Sequence, residues 1–169
     1  KQDTHWTFDT MQIMAKALAT HIRKTHPTLT EKQPEDMITP RAITGRSPGD
    51  LLNLLDLPKG STLYPLEEQT YVSVPDIQPD PQSEIVLMGD SFVNIYHDPA
   101  LGFAPPGSTE KMHAGFAQYL SLYLGRPLDV IAVNGGGATD VRRVLARRAD
   151  DEVRAKKLIV WVLSARDLL

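Results

Sequence analysis

The second half of the chain alternates between strand-like and helix-like segments, and this alternation constrains the fold more than any other feature. Apolar runs at 84–88, 128–133 and 158–163 each predict a buried strand. The segments between them predict helices over 108–124 and 139–156. Strand–helix–strand repeats favour right-handed crossovers and a parallel sheet that is covered on both faces. We therefore predict an α/β fold with three layers, α/β/α.

The first half is organised differently. Residues 7–26 predict a helix with Thr7 as N-cap and an apolar stripe. The stripe consists of Met11, Met14, Leu18 and Ile22. Residues 27–83 hold most of the chain's 13 prolines, with a short helix predicted after Ser47-Pro48 and strands near 61–64 and 71–74. We interpret 27–83 as an inserted or connecting segment of a single domain, 1–169, and a small β subdomain is the alternative.

Composition excludes several classes of site and partner. The chain has 169 residues, no cysteine and a formal net charge of −3. Thiol nucleophiles, disulfides and thiolate metal sites are therefore excluded. Separately, nothing in the sequence indicates a metal or an organic cofactor, and we expect none. Nothing in the sequence indicates the basic surface that a nucleic-acid partner would usually require. No apolar run is long enough to span a membrane. Because the chain starts at Lys1 without a methionine and stops soon after a predicted strand, we expect flanking sequence to be missing.

Three loops follow the predicted strands, and parallel strands place such loops along one edge of the sheet. They contain Gly89-Asp90-Ser91, Asn134-Gly135-Gly136-Gly137 and Ser164-Ala165-Arg166-Asp167. A serine at a strand end is exposed, and it becomes a nucleophile when a base removes its proton. Backbone N–H groups of Ser91 and of Gly135 or Gly136 are the predicted oxyanion-hole donors.

The base for Ser91 has to be one of five histidines. His5 is distinguished by Asp3 two residues earlier, since an Asp-x-His segment lets the carboxylate bind the imidazole Nδ1 and fix its tautomer. His97 is the main competitor because it lies close to Ser91 in sequence. Each feature is weak alone, but together they predict a Ser91–His5–Asp3 triad.

These motifs resemble a known family. Gly89-Asp90-Ser91 resembles the first block of SGNH hydrolases, and Asp3-Thr4-His5-Trp6 resembles the Asp-x-His-Trp segment of the alginate O-acetyltransferase family of the AlgJ/AlgX type. In ordinary SGNH enzymes the Asp/His block follows the serine, whereas here it precedes the serine, as in that family. The resemblance covers 3–10 and 84–169 and implies an SGNH, flavodoxin-like fold. One departure is Ser164 and its neighbours, at the position where SGNH enzymes place an oxyanion-hole asparagine.

The resemblance implies a polysaccharide O-acetyltransferase that works through an acetyl-serine. Its partners would be an exopolysaccharide acceptor of the alginate kind and an acetyl donor, with a membrane-bound acetyltransferase as one source, and its location would be periplasmic or otherwise extracytoplasmic. The predicted substrate-binding residues are Trp6, Asn94, Tyr96 and Arg166. A carbohydrate acetylesterase, with water as acceptor, is the first alternative, and a non-catalytic polysaccharide-binding scaffold is the second.

Overall fold

The computed structural model describes residues 2–31, 39–53, 55 and 63–168, apart from the side chains of residues 53, 166 and 168. The strands are β1 (Arg41–Ser47), β2 (Glu67–Ser73), β3 (Ile85–Gly89), β4 (Asp129–Ala132) and β5 (Leu158–Trp161). The α-helices are α1 (Phe8–Thr25), α2 (Asp50–Asn53), α3 (Ser91–Asn94), α4 (Phe116–Leu124), α5 (Gly137–Ala146) and α6 (Asp150–Arg154). None of the described helices is long and apolar enough to cross a membrane.

The parallel sheet confirms the predicted fold class. Its strand order is β4-β3-β5, so the strand before Ser91 is central and pairs in parallel with both neighbours. Every residue of β3 is buried. Its side chains alternate between two cores: Ile85 and Leu87 join a large cluster with α1 and α4, while Val86 and Met88 join a smaller one with α5. The central strand is thus covered on both faces, as a strand in the middle layer of an α/β/α arrangement is.

Helix α1 begins where the sequence predicts. The Thr7 hydroxyl accepts a hydrogen bond from the Thr10 N–H at 3.3 Å, as an N-cap does. The predicted apolar stripe is partly wrong, because Met14 is 48% exposed. The buried face consists of Phe8, Met11, Ala15, Ala19 and Ile22. Small alanines on this face suit the close packing of α1 against α4.

Two predicted helices have different bounds. Helix α4 begins at Phe116 instead of 108, because the Met112 and Ala114 N–H groups donate to the carbonyls of His97 and Tyr96, and this pairing holds 112–114 outside the helix. The helix predicted over 139–156 is interrupted between α5 and α6, where Ala149 has extended backbone angles.

The proline-rich segment contains an antiparallel pair. β1 and β2 pair from Arg41↔Ser73 to Ser47↔Glu67, and a short helix, α2, follows Ser47-Pro48 as predicted. The predicted strand at 71–74 corresponds to the end of β2. The predicted strand at 61–64 lies partly outside the described residues, and its described part, Leu63 and Tyr64, is not a strand. The pair ends beside the segment that carries Asp3 and His5.

Candidate active site

Ser91 lies at the first position of α3, directly after β3. The Asp90 carboxylate caps this helix by accepting from the Phe92 N–H at 3.0 Å, which fixes the turn that carries Ser91. Gly89 allows the turn to pack closely, since a Cβ there would meet Val93 Cγ2 at 2.5 Å. Ser91 is only 8% exposed, so the expected exposed serine is instead buried at the carboxyl edge of the sheet, where His5 lies against its hydroxyl.

The N-terminal segment brings an imidazole to this serine. His5 Nε2 lies 2.8 Å from Ser91 Oγ, and His5 Nδ1 lies 2.7 Å from Asp3 Oδ1. The same Asp3 oxygen also accepts from the His5 backbone N–H at 2.9 Å, which closes the short turn between them. The structure thus brings together the three side chains that the sequence predicts, in a chain of hydrogen bonds from carboxylate to hydroxyl.

Aromatic packing holds the start of α1, and with it His5, against the sheet. The Phe8 ring contacts Tyr71, Tyr96 and Tyr119 at centroid distances of 5.4–5.7 Å. The Phe92 ring covers the His5 imidazole at 4.9 Å. The Phe92 ring and the hydrogen bonds to Asp3 and Ser91 together hold the orientation of the His5 imidazole.

Asp3 is buried, and its ionisation is set by His5. Burial alone would raise the pKa of Asp3, but hydrogen bonds from the His5 side chain and backbone, the His5 charge and the Asp50 N–H together hold this pKa below its usual range. The carboxylate is therefore ionised at neutral pH, as a group that orients an imidazole must be.

Asp3, His5 and Asp50 are also the only group among the described residues whose ligand atoms lie close enough for one metal ion, within 4.8 Å of one another. Their atoms are already hydrogen-bonded: Asp3 to His5, Asp50 to Thr4, and the imidazole to both Asp3 and Ser91. We interpret the group as a hydrogen-bonded network around the Asp3–His5 turn. Sequence reasoning missed Asp50, and its only signal there was a Pro-Gly-Asp turn at the start of α2.

The glycine loop after β4 lies beside the serine. The Val133 N–H donates to the Gly89 carbonyl at 3.1 Å, so this loop begins next to the Ser91 turn. The Gly136 N–H donates to the Val133 carbonyl at 2.9 Å and is already used inside the loop. Gly135 has a φ of 71° and open space beside its Cα. Of the two glycines predicted for the oxyanion hole, Gly136 has its N–H engaged in this way, and the role of Gly135 stays a prediction.

The predicted substrate-binding residues differ in position. Asn94 Nδ2 donates to Asn134 Oδ1 at 2.8 Å and so links the loops after β3 and β4. Trp6 is partly exposed and packs against Phe92 and Phe116. Arg166 lies in the last turn, Ala165–Leu168, and its side chain is outside the described part. For Trp6, Asn94 and Arg166, contact with substrate stays a prediction.

Tyr96 has a position that does not suit substrate contact. It is 2% exposed, packs against Phe103 as well as Phe8, and donates its hydroxyl to the Trp6 carbonyl at 3.3 Å. Burial raises its pKa far above the usual range, so the hydroxyl keeps its proton. Its structural role is to support the segment that carries His5.

His97, the competing histidine, packs against His113 with ring centroids 5.3 Å apart. Burial lowers the pKa of His97 to about 4, with smaller contributions from Lys111 and His113, so its ring is neutral at pH 7. In the described structure His5, not His97, is hydrogen-bonded to Ser91 Oγ.

Comparison with known proteins identifies a family and similar folds. A family model described as the SGNH hydrolase-like domain of acetyltransferase AlgX matches residues 1–165. Among solved structures, the O-acetyltransferase domain of Pseudomonas putida AlgJ is similar, with 23% identity and a TM-score of 0.62 over 96% of this chain and 51% of that one. Pseudomonas aeruginosa AlgX is also similar, with 19% identity and a TM-score of 0.62 over 96% of this chain and 34% of that one.

The chain thus spans about half the length of the first of these structures and about a third of the second. A search of curated proteins gives no match.

Proposed function

We propose a function for this chain on the basis that it belongs to the family of SGNH hydrolase-like acetyltransferase domains of the AlgX type. The proposed function is the transfer of acetyl groups to hydroxyls of an alginate-like polysaccharide through an acetyl-Ser91. The observation that carries the proposal is the continuous hydrogen-bonded chain from Asp3 through His5 to Ser91 Oγ, with links of 2.7 and 2.8 Å. The similarity of fold to AlgJ and AlgX supports the same class of reaction.

In the first half-reaction, Ser91 Oγ attacks the carbonyl carbon of a donor acetyl ester while His5 Nε2 accepts the hydroxyl proton. Asp3 stabilises the imidazolium that forms. The negative charge on the carbonyl oxygen is met by the N–H of Ser91, which lies in the first turn of α3 where N–H groups have no partner within the helix, and by the N–H of Gly135. The donor's alcohol leaves with the proton from His5, and the acetyl group stays on Ser91.

In the second half-reaction, a sugar hydroxyl replaces that alcohol. His5 Nε2 accepts its proton as the oxygen attacks the acetyl-serine, and the proton returns to Ser91 Oγ when the new ester separates. Acetylated polysaccharide and free enzyme result. The proposal includes an acetyl donor supplied by a partner, with a membrane-bound acetyltransferase as the source, and a periplasmic or otherwise extracytoplasmic location.

Intact-mass measurement with an activated acetyl ester tests the covalent step. Wild type should gain one acetyl group, Ser91→Ala and His5→Ala should gain none, and Ser164→Ala should behave as wild type. Ser164 is the matched control because it follows β5, at the same edge of the sheet as Ser91. Labelling that persists in Ser91→Ala would contradict the assigned nucleophile.

The acceptor is tested by adding alginate oligosaccharides to the acetylated protein, with neutral cello-oligosaccharides in parallel. Loss of acetyl from Ser91 together with its appearance on the alginate oligosaccharide supports transfer. Loss at the same rate without any oligosaccharide identifies water as the acceptor and favours the esterase. Binding of oligosaccharide by a protein that never becomes acetylated favours the scaffold.

A further inference from the structure

A second carboxylate, Asp50, lies beside the Asp3–His5 pair, and we propose that it is a positioning residue for the catalytic histidine. This inference rests on the proposed function of Ser91 and His5. Asp50 begins α2 in the proline-rich segment, more than 40 residues along the chain from the turn that it contacts.

Asp50 binds the turn between Asp3 and His5 through both its side chain and its backbone. One carboxylate oxygen, Oδ1, accepts from the Thr4 backbone N–H at 2.7 Å, and the other, Oδ2, accepts from the Thr4 hydroxyl. In return, the Asp50 N–H donates to Asp3 Oδ2 at 3.1 Å. Since Asp3 Oδ1 is used by His5, Asp50 engages the remaining oxygen of this carboxylate and fixes its rotation.

The backbone on either side of Asp50 is fitted to the same turn. Gly49 has a φ of 79°, and a Cβ there would meet the Gln2 carbonyl oxygen at 2.1 Å. The Leu51 N–H donates to that carbonyl at 3.1 Å. Close approach of the two segments therefore requires glycine at 49, and it brings three consecutive residues of one segment onto three of the other.

This contact matters because residues 2–6 belong to no helix or strand. Their conformation depends on tertiary contacts, and a displacement of about 1 Å at a catalytic group can cost roughly a hundredfold in rate. Asp50 Oδ2 lies 3.7 Å from His5 Nδ1, too long for a hydrogen bond, so the inferred role runs through Thr4 and Asp3.

The test compares three substitutions by stopped-flow or quench acetylation of Ser91 with an activated acetyl ester. Asp50→Ala should lower the maximal acetylation rate by roughly 10- to 100-fold with little change in the ester's half-saturation concentration. Gly49→Ala should lower it in the same way, since it forces the two segments apart. Asp50→Asn should stay within about threefold of wild type, because its amide can still accept from the Thr4 N–H and donate to the Thr4 hydroxyl.

The control is Glu68→Ala. Glu68 is an exposed carboxylate on β2 that pairs with Arg46 at 2.8 Å, and its loss should not change the rate. Thermal unfolding of every variant, with rates taken only where the protein is folded, separates misfolding from misalignment.

Each outcome bears on a different claim. Wild-type rates in Asp50→Ala overturn the inference, and so does an Asp50→Asn variant as slow as Asp50→Ala, since charge alone would then be the cause. A wild-type protein without acetylation overturns the proposed function as well. A lower acetylation rate in Asp50→Ala and Gly49→Ala, together with a rate near that of wild type in Asp50→Asn, supports the inference.

Discussion

The two ends of the parallel sheet each hold a buried ionic cluster. At the carboxyl edge, Asp3, His5 and Ser91 form the cluster that we propose to be catalytic, called the catalytic cluster below. At the amino end of β4, the anchoring cluster is formed by Asp129, Arg148 and Lys156: Arg148 binds Asp129 through two nitrogens, and Lys156 Nζ lies 2.8 Å from Asp129 Oδ2. Asp129 is 1% exposed and Asp3 is 6% exposed.

Both carboxylates have a lowered pKa for similar reasons. Burial works against ionisation in each, and hydrogen bonds outweigh it, from His5 at Asp3 and from Arg148 and Lys156 at Asp129. The partners differ. Guanidinium and ammonium groups keep their charge near neutral pH, whereas an imidazole can take and return a proton there.

This difference assigns the two clusters different purposes. The anchoring cluster joins segments distant in sequence, since Lys156 also donates to the carbonyls of Pro81 and Ser83. In the proposed mechanism, the catalytic cluster ends in a hydroxyl that gives its proton to His5 along their hydrogen bond when it reacts. We expect substitutions in the anchoring cluster to change the stability of the protein, and substitutions in the catalytic cluster to change the rate of acetylation.

The largest expected effect is on rate, in Asp3→Asn. The amide keeps the size of the carboxylate but cannot fix the imidazole tautomer or stabilise imidazolium, so Ser91 acetylation should slow by about 10³- to 10⁴-fold. The free energy of unfolding, measured by urea denaturation, should change by far less than the activation free energy of acetylation. A stable, fully active Asp3→Asn variant would remove the distinction between the clusters.

Much of the catalytic edge could be predicted from sequence because strand ends and turn residues are local signals. The apolar run at 84–88 places Ser91 at the end of a strand, and the structure has β3 at Ile85–Gly89. The pairing of Asp3 with His5 follows from a two-residue spacing. That this pair lies close to Ser91 could not be predicted from local spacing and had to come from the resemblance or the structure, because it depends on how α1 packs.

The parts that could not be predicted depend on contacts between distant segments. Ser108 suits a helix cap, yet the backbone at 112–114 pairs with 96–97 instead. Tyr96 lies only five residues after Ser91, yet its φ of 64° turns it into the aromatic core. Asp50 reaches Thr4 through a close approach at Gly49 that no local pattern encodes.

The next largest effect is on stability, in Asp129→Asn. This change leaves Lys156, whose side chain is 4% exposed, buried without its carboxylate, and breaking a buried ion pair in this way costs about 3–5 kcal/mol. Acetylation of the folded variant should proceed at the wild-type rate. The matched control is Asp140→Asn, whose exposed pair with Arg143 at 3.3 Å should contribute less than about 1 kcal/mol. Equal losses in the two variants would contradict the anchoring role.

The smallest expected effect is the pH dependence of the stability lost in Asp129→Asn. The pKa of Asp129 is lower in the folded protein than its ordinary value of 3.8, so the unfolded chain binds its proton first as pH falls. The contribution of Asp129 is therefore complete above that ordinary value and declines as pH falls through the folded-state pKa. Urea denaturation of wild type and Asp129→Asn should show a constant difference in unfolding free energy from pH 7 to about 5, and a smaller difference below about 4. A difference that stays constant to the lowest pH at which wild type folds would mean that hydrogen-bond geometry, rather than the charge of Asp129, provides the stability of the anchoring cluster.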